Sequence, residues 1–192
     1  MPGIAWKRFV PFVVYSVLAV VSVAAAASTE TRSAASVAAL VAVGVASWGL
    51  IEYGLHRVVF HYDATSERGK RFVYRSHLSH HEDPKSLDEI FASLTTSLPL
   101  ATAYVLVALG VTRSWHATVY LLLGLIVGYF TYEWMHYQAH HRSPRLRVLR
   151  YLKKYHMLHH HQSSDLRFGV TTPFVDLLFG TFGRVGKARG TK

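Results

Sequence analysis

Residues 114–141 read SWHATVYLLLGLIVGYFTYEWMHYQAHH, and this stretch decides the fold. From Ser114 to Tyr132 it contains no Asp, Glu, Lys or Arg, and that length of helix crosses the roughly 30 Å hydrocarbon core of a bilayer. The helical pattern continues where the apolar run stops. Glu133, His136 and His140 follow at spacings of three and four, which share one helix face. A membrane helix therefore leads directly into metal-type ligands at one end.

Working outward, three more stretches lack charge over a similar length: Phe9–Thr29, Ser33–Ile51 and Ile90–Thr112. Four such helices in 192 residues could not all be covered by protein, so lipid must cover them. Lys7 and Arg8 followed by a run ending in Ala24–Ala27 outline a signal peptide, but the run is long for one and is read as a retained helix. The expected fold is all-α. It is an integral membrane bundle with transmembrane helices at about 9–29, 33–51, 90–112 and 114–132, forming with its cap one membrane-embedded domain over 1–192. The cap is cytoplasmic, helical and histidine-rich, built from 52–89 and 133–192.

Charge sets the expected orientation. Of the 21 Lys and Arg residues, the two short connections hold only Arg32 and Arg113. The amino terminus, the long segment after the second helix and the carboxyl-terminal part hold the others. The positive-inside rule then places both termini and the long segment in the cytoplasm. That distribution accounts for the net charge of +10 without nucleic acid. The run from Pro144 to Lys154 is expected to be an amphipathic helix starting at Pro144. Its apolar side, Leu146, Leu149, Leu152 and Tyr155, would lie on the anionic leaflet.

The histidines form two similar halves. The first is His56-x4-His61, then His77-x2-His80-His81. The second is His136-x3-His140, then His156-x2-His159-His160. With 13 histidines in the chain, random order would produce an H-x-x-H-H string roughly 0.06 times, and there are two. Ten imidazoles are too many for one ion, so two metal ions are expected. The chain has no cysteine, which excludes disulfides, thiolate sites and iron–sulfur clusters. The metals must be held by nitrogen and oxygen ligands. His56 and His61 lie five apart, about 140° round an ideal helix, so the second helix should bend, bulge or end between them, or they serve different ions. His116 stands apart, at the opposite end beside Trp115.

Such a site is strongly cationic, and carboxylates that orient the imidazoles should accompany it. Glu52 and Glu133 are the first candidates, since each precedes the first histidine of its half. Glu82, Asp83 and Asp165 also lie close to a cluster. A dimetal site at the end of apolar helices suggests work on a lipid. Cleaving an aliphatic C–H bond calls for oxidising chemistry, which favours iron and dioxygen, although these ligands alone would also permit a zinc hydrolase. Leu98, Leu106, Leu122 and Ile126 are candidates to line an acyl slot. A transporter would need polar ligands at mid-depth in the membrane, which these helices lack, while a metal-binding or storage protein remains an alternative.

The order HX4H, HX2HH, HX3H, HX2HH resembles the signature of the fatty acid hydroxylase superfamily, integral-membrane non-haem di-iron enzymes. Glu52–His61 (EYGLHRVVFH) and Phe168–Thr181 (FGVTTPFVDLLFGT) resemble motifs of the fatty acid 2-hydroxylases within it. The resemblance implies hydroxylation beside the carboxyl of an acyl chain, on a fatty acid or sphingolipid. Other members act on sterols, carotenoids or aldehydes. It implies two iron ions, which zinc could replace in recombinant protein, with dioxygen as co-substrate. It implies as ligands His56, His61, His77, His80, His81, His136, His140, His156, His159 and His160, with His141, His161 and Asp176 as outer neighbours. Many eukaryotic relatives carry a fused b-type cytochrome; these 192 residues contain no such stretch, and electrons are expected from a separate protein. Val175 departs from the tryptophan common in the last motif.

Overall fold

The structure is a computed structural model and describes residues 6–183. The charges at Arg184, Lys187, Arg189 and Lys192 and the side chain of Lys7 lie outside the described residues. All regular structure among the described residues is helical. Four helices are long and apolar enough to cross a membrane: α1 (Val10–Ala27), α2 (Ala34–Gly54), α5 (Leu94–Thr112) and α6 (Trp115–His141). α2 runs on without a break into a π turn, Leu55–Phe60. Between α2 and α5 lie α3 (Glu67–Val73), a second π turn (Tyr74–Leu78) and α4 (Ser79–Glu82). After α6 come α7 (Arg147–His161) and α8 (Pro173–Leu178).

Local chemistry explains the helix ends. The hydroxyls of Ser33 and Ser114 accept hydrogen bonds from the amides of Ser36 and Ala117, capping α2 and α6. Arg113 takes a left-handed conformation (φ 48°), which turns the chain from α5 into α6 within two residues. Pro11 stands in the first turn of α1, where a missing amide costs nothing.

α6 is the central helix. Its middle is buried from Ala117 to Tyr129 almost without interruption. α1, α2 and α5 surround it and turn apolar residues outward, among them Val20, Leu50 and Val111. Lipid tails are as apolar as these side chains, so the faces need no protein cover. α2 meets α6 backbone to backbone at Gly44 and Gly124. A Cβ on Gly44 would collide with the Leu121 carbonyl oxygen, and one on Gly124 with that of Val41. Gly128 gives similar room to the Trp48 ring. Small residues that let helices approach this closely are the usual packing device in membranes.

Three expectations are corrected. α5 begins at Leu94 and not at Ile90, because residues 90–93 form an irregular segment whose backbone groups bond the side chains of Glu133 and His136 on α6. Pro144 does not start α7, which begins at Arg147 after an extended link. Leu149 and Leu152 pack with the cluster of Met135, Ala139 and Val170, and Tyr155 is fully buried, so this stripe covers α6. Leu146, grouped with them by periodicity, is 65% exposed.

Candidate metal centre

The ten clustered histidines converge where α2 and α6 emerge from the bundle, and they fall into two groups of five. The first is His56, His61, His77, His81 and His159. The second is His80, His136, His140, His156 and His160. Within each group, one nitrogen from every ring lies within 4.8 Å of all the others.

The groups do not follow the halves of the sequence. His80 from the first half joins the second group, and His159 from the second half joins the first. Helix geometry explains the exchange. Residues i and i+4 are about 40° apart around a helix, while i+3 falls about 60° to the other side. Each H-x-x-H-H string therefore sends its first and third histidines to one group and its second to the other. His56 and His61 stay in one group because the π turn widens the helix at their position, and its i-to-i+5 bonding brings residues five apart onto one face.

Backbone carbonyls fix the ring orientations. His56 Nδ1 donates to the Phe168 oxygen (2.6 Å), His159 Nδ1 to the Leu166 oxygen (2.7 Å) and His136 Nδ1 to the Ile90 oxygen (3.1 Å). A carbonyl can only accept, so these three rings carry the proton on Nδ1 and present a lone pair at Nε2. The Nε2 atoms face one another: His56 to His77 at 2.9 Å, His159 to both His61 and His81 at 3.2 Å, and His140 to His156 at 2.8 Å. The His136 Nε2 is buried without a partner among the described residues. A neighbouring ring satisfies such a lone pair only by carrying its own proton on Nε2, and one proton cannot serve five converging nitrogens, whereas a cation at the centre of each group would satisfy all of them. The donor set thus fits metal ions.

Protonation agrees with this. Burial, reinforced by neighbouring imidazoles, pushes His80 down to about 4 and His81 to about 3. Burial likewise takes His159 to about 3, and His77, His156 and His160 well below the usual histidine range. All stay neutral at physiological pH, the form that ligates metal.

Glu52, Glu133 and Asp176 are buried and reach the imidazoles through loops. Glu52 accepts from the amide and hydroxyl of Thr171, three residues beyond the carbonyl that holds His56. Glu133 accepts from the Ala92 amide (3.0 Å), two residues beyond the carbonyl that holds His136. Asp176 accepts from the amides of Phe168 and Gly169 and from the Thr181 hydroxyl, all at 2.8 Å. Thr181 also pairs with the Tyr53 hydroxyl (3.0 Å), tying the carboxyl-terminal segment to α2. The carbonyls of Ile90, Leu166 and Phe168 escaped the sequence reading, because a backbone oxygen leaves no mark in residue type.

The remaining candidates lie elsewhere. His141 stacks on Tyr137 and His161 is exposed, and neither belongs to a group. Glu82 accepts from the Tyr74 hydroxyl and Asp83 from the Lys85 amide. His116 bonds Thr29 at the far end of the bundle (2.8 Å). Leu98 and Leu106 face outward and do not line a slot, whereas Leu122 and Ile126 line a small apolar cavity with Tyr15, Trp48 and Ser97.

Fold and site together define an integral membrane protein with two groups of five histidines that could each hold a metal ion. Residues 41–181 match the model of the fatty acid hydroxylase family, and the chain belongs to that family. It is 35% identical over 143 residues to a dihydroceramide fatty acyl 2-hydroxylase of Arabidopsis thaliana, covering 74% of this chain and 60% of the relative. It is 36% identical over 146 residues to a ceramide very long chain fatty acid hydroxylase of Saccharomyces cerevisiae, covering 74% of this chain and 38% of the relative. To the fatty acid 2-hydroxylase of Homo sapiens it is 30% identical, covering 74% and 39%. The solved structure of full-length scs7p, in which the hydroxylase domain is visible, superposes with a TM-score of 0.82 at 29% identity, covering 97% of this chain and 70% of that one. The chain spans 60% or less of the length of these curated relatives.

Proposed function

We propose that the chain hydroxylates a lipid acyl chain with dioxygen, at the carbon beside the carboxyl of a fatty acid or sphingolipid. The observation that carries this reading is the pair of five-imidazole groups at the ends of apolar helices, in a member of this family. Each group of five holds one iron ion, and zinc can occupy the same nitrogens in recombinant protein. Bound there, the iron pair supplies the dioxygen activation that an inert C–H bond requires. In the overall reaction one oxygen atom enters the C–H bond, and the other leaves as water with two electrons and two protons.

The residues of the chain hold, orient and exclude. The carbonyls of Phe168, Leu166 and Ile90 keep three rings in the tautomer that offers Nε2 to the metal. Glu52, Glu133 and Asp176 keep the loops that supply those carbonyls in place. The bundle surrounds the substrate chain and keeps water from the reacting carbon. No histidine acts as a general base. Residues 1–192 act as one domain, with the histidine cap and both termini in the cytoplasm, where a separate electron-donor protein docks. This orientation rests on the distribution of Lys and Arg.

The test is isotopic. Iron-loaded protein supplied with electrons, lipid and labelled dioxygen should place one labelled oxygen atom on the lipid. Label that enters only from labelled water would indicate hydrolysis and refute the reading. Orientation is read separately: cysteines introduced at Glu30 and Lys70 should label from opposite sides of sealed vesicles.

A further inference from the structure

One helix beyond the bundle carries an apolar face that none of the described residues covers. In α8 (PFVDLL), Phe174, Leu177 and Leu178 fall at i, i+3 and i+4, on one side of the helix. They are 63%, 68% and 71% exposed. The other side is committed. Val175 packs with Tyr53 and Phe168, and Asp176 holds the amides of Phe168 and Gly169. From Phe168 to Gly183 the sequence has a single charge, that of Asp176, and it is buried. Contiguous apolar surface of this kind marks a contact with protein or with a membrane.

The depth of α8 along the bundle decides between these. Arg32 donates to the Ser114 hydroxyl (2.8 Å), which sets the starts of α2 and α6 level at the far end. On α6, Trp115 and Trp134 are both half exposed and lie nineteen residues apart, about 29 Å along a helix. That is the thickness of the hydrocarbon core, and exposed tryptophans concentrate at its two boundaries. On α2 the same nineteen residues lead from Ala34 to Tyr53. The segment of α8 packs on this last part of α2. Thr172 lies so close to Gly49 that a Cβ there would come within 3.0 Å of its side chain, and the Phe179 ring stacks on that of Tyr53 at 4.8 Å. Leu50, beside Gly49, faces outward with the rest of the membrane span. Arg57, one turn beyond Tyr53, donates to its hydroxyl (2.7 Å) and marks the level of the headgroups. α8 therefore lies at the edge of the hydrocarbon core.

We infer that α8 is an interfacial anchor, whose Phe174, Leu177 and Leu178 insert among the acyl chains at the boundary of the leaflet nearest the histidines. The sequence that follows suits that partner. Arg184, Lys187, Arg189 and Lys192 supply four cations for anionic headgroups. Residues 184–192 offer only Val185 and Ala188 as apolar side chains, too little to cover the face themselves. The opposite side of the same helix carries Asp176 to Phe168, whose carbonyl holds His56. One short element is thus bounded by lipid on one face and by the support of the first histidine group on the other. This placement holds whichever reaction the histidines serve and whichever side of the membrane is cytoplasmic.

The chain has no cysteine, so one introduced thiol carries one dye. Full-length metal-loaded L177C and L178C, labelled with an environment-sensitive fluorophore, are placed in nanodiscs of phosphatidylcholine and phosphatidylglycerol. V20C, on the outward face of α1, supplies the signal of a lipid-facing site, and S164C, exposed in the turn after α7, that of a water-facing one. L177C and L178C should show the blue-shifted emission of V20C. They should lose emission to lipids brominated in the upper part of the acyl chain and keep it in aqueous iodide. Bromine near the terminal methyl should quench V20C more than either, because Val20 lies near the middle of its span. Emission at the wavelength of S164C, with quenching by iodide, would put the face in water and overturn the inference. A dye reached by neither quencher overturns it as well, and a disulfide joining two unlabelled L177C chains would then identify a second copy as the cover. Metal content equal to the parent's verifies the fold of each variant, and F174C repeats the reading at a third site on the face.

Discussion

Replacing Asp176 with Asn should release one metal ion and leave the other bound. The Asp176 carboxylate accepts the amides of Phe168 and Gly169 and the Thr181 hydroxyl, each at 2.8 Å, in a site with no exposure to solvent. Asn keeps the size but has one accepting oxygen in place of two. That oxygen can still serve Phe168 and Thr181, but the new NH2 then faces the Gly169 amide, donor against donor. A buried donor left without a partner costs about 1–3 kcal/mol. The disturbance passes to Phe168, whose carbonyl holds His56, and to the segment from Leu166, whose carbonyl holds His159. Both rings belong to the first group, and none of these contacts reaches the second. Loss of support one shell out typically weakens metal affinity about 10- to 100-fold, which is the same 1–3 kcal/mol expressed as binding. The assay is metal content per protein after dialysis against graded chelator. The parent should lose its two ions over similar chelator concentrations, while D176N should lose one at about 10- to 100-fold less chelator. Two ions held as firmly as in the parent, or both lost together, would refute the chain of contacts from Asp176 to His56.

Removing His80 should act on the second group although its sequence neighbours His77 and His81 serve the first. The double variant H80A/H156A should therefore lose little more metal than either single variant, whereas H80A/H77A should lose both ions, as metal analysis will read. His116→Ala, at the opposite end, should change neither metal content nor turnover. Gly124→Leu should lower the thermal midpoint by several degrees, because its Cβ meets the α2 backbone and overpacking costs about 1–3 kcal/mol or more. Gly110→Leu, with nothing within 4 Å of the new Cβ, should leave the midpoint nearly unchanged. The metal-free protein should lose stability as pH falls below 6.5 and continue to lose it to about 4 and below. His80, His81 and His159 have folded values depressed below 6.5, so in that window the unfolded chain binds more protons and is favoured. Denaturant midpoints measured from pH 8 to pH 4 check this, and a flat profile would count against the buried neutral imidazoles.

Hydropathy alone placed all four long helices, because transfer to lipid depends on local composition and each span is chemically uniform over a bilayer's length. Histidine spacing alone named the ten rings that converge, because periodicity is a local property of a helix. It also called for a bend, bulge or end between His56 and His61, or else for different ions, and the π turn is such a bulge within a continuous helix. Periodicity failed where the partner of a face mattered. The stripe of Leu149, Leu152 and Tyr155 was legible, but nothing local distinguishes a face made for a leaflet from one made for α6. Pro144 suits a helix start, yet the chain runs extended to Leu146 before α7 begins. Glu52 and Glu133 were legible as candidates, but each grips a loop amide from a distant part of the chain, and carbonyls of those loops bond the histidine rings. The division of the ten histidines into two groups was equally beyond the sequence. Spacing shows that His80 and His159 point away from their neighbours, and only packing brings α4 and α7 together so that each fills the other's site. Residue order encodes which side chains share a face, while the choice of what that face meets belongs to contacts between segments far apart in the chain.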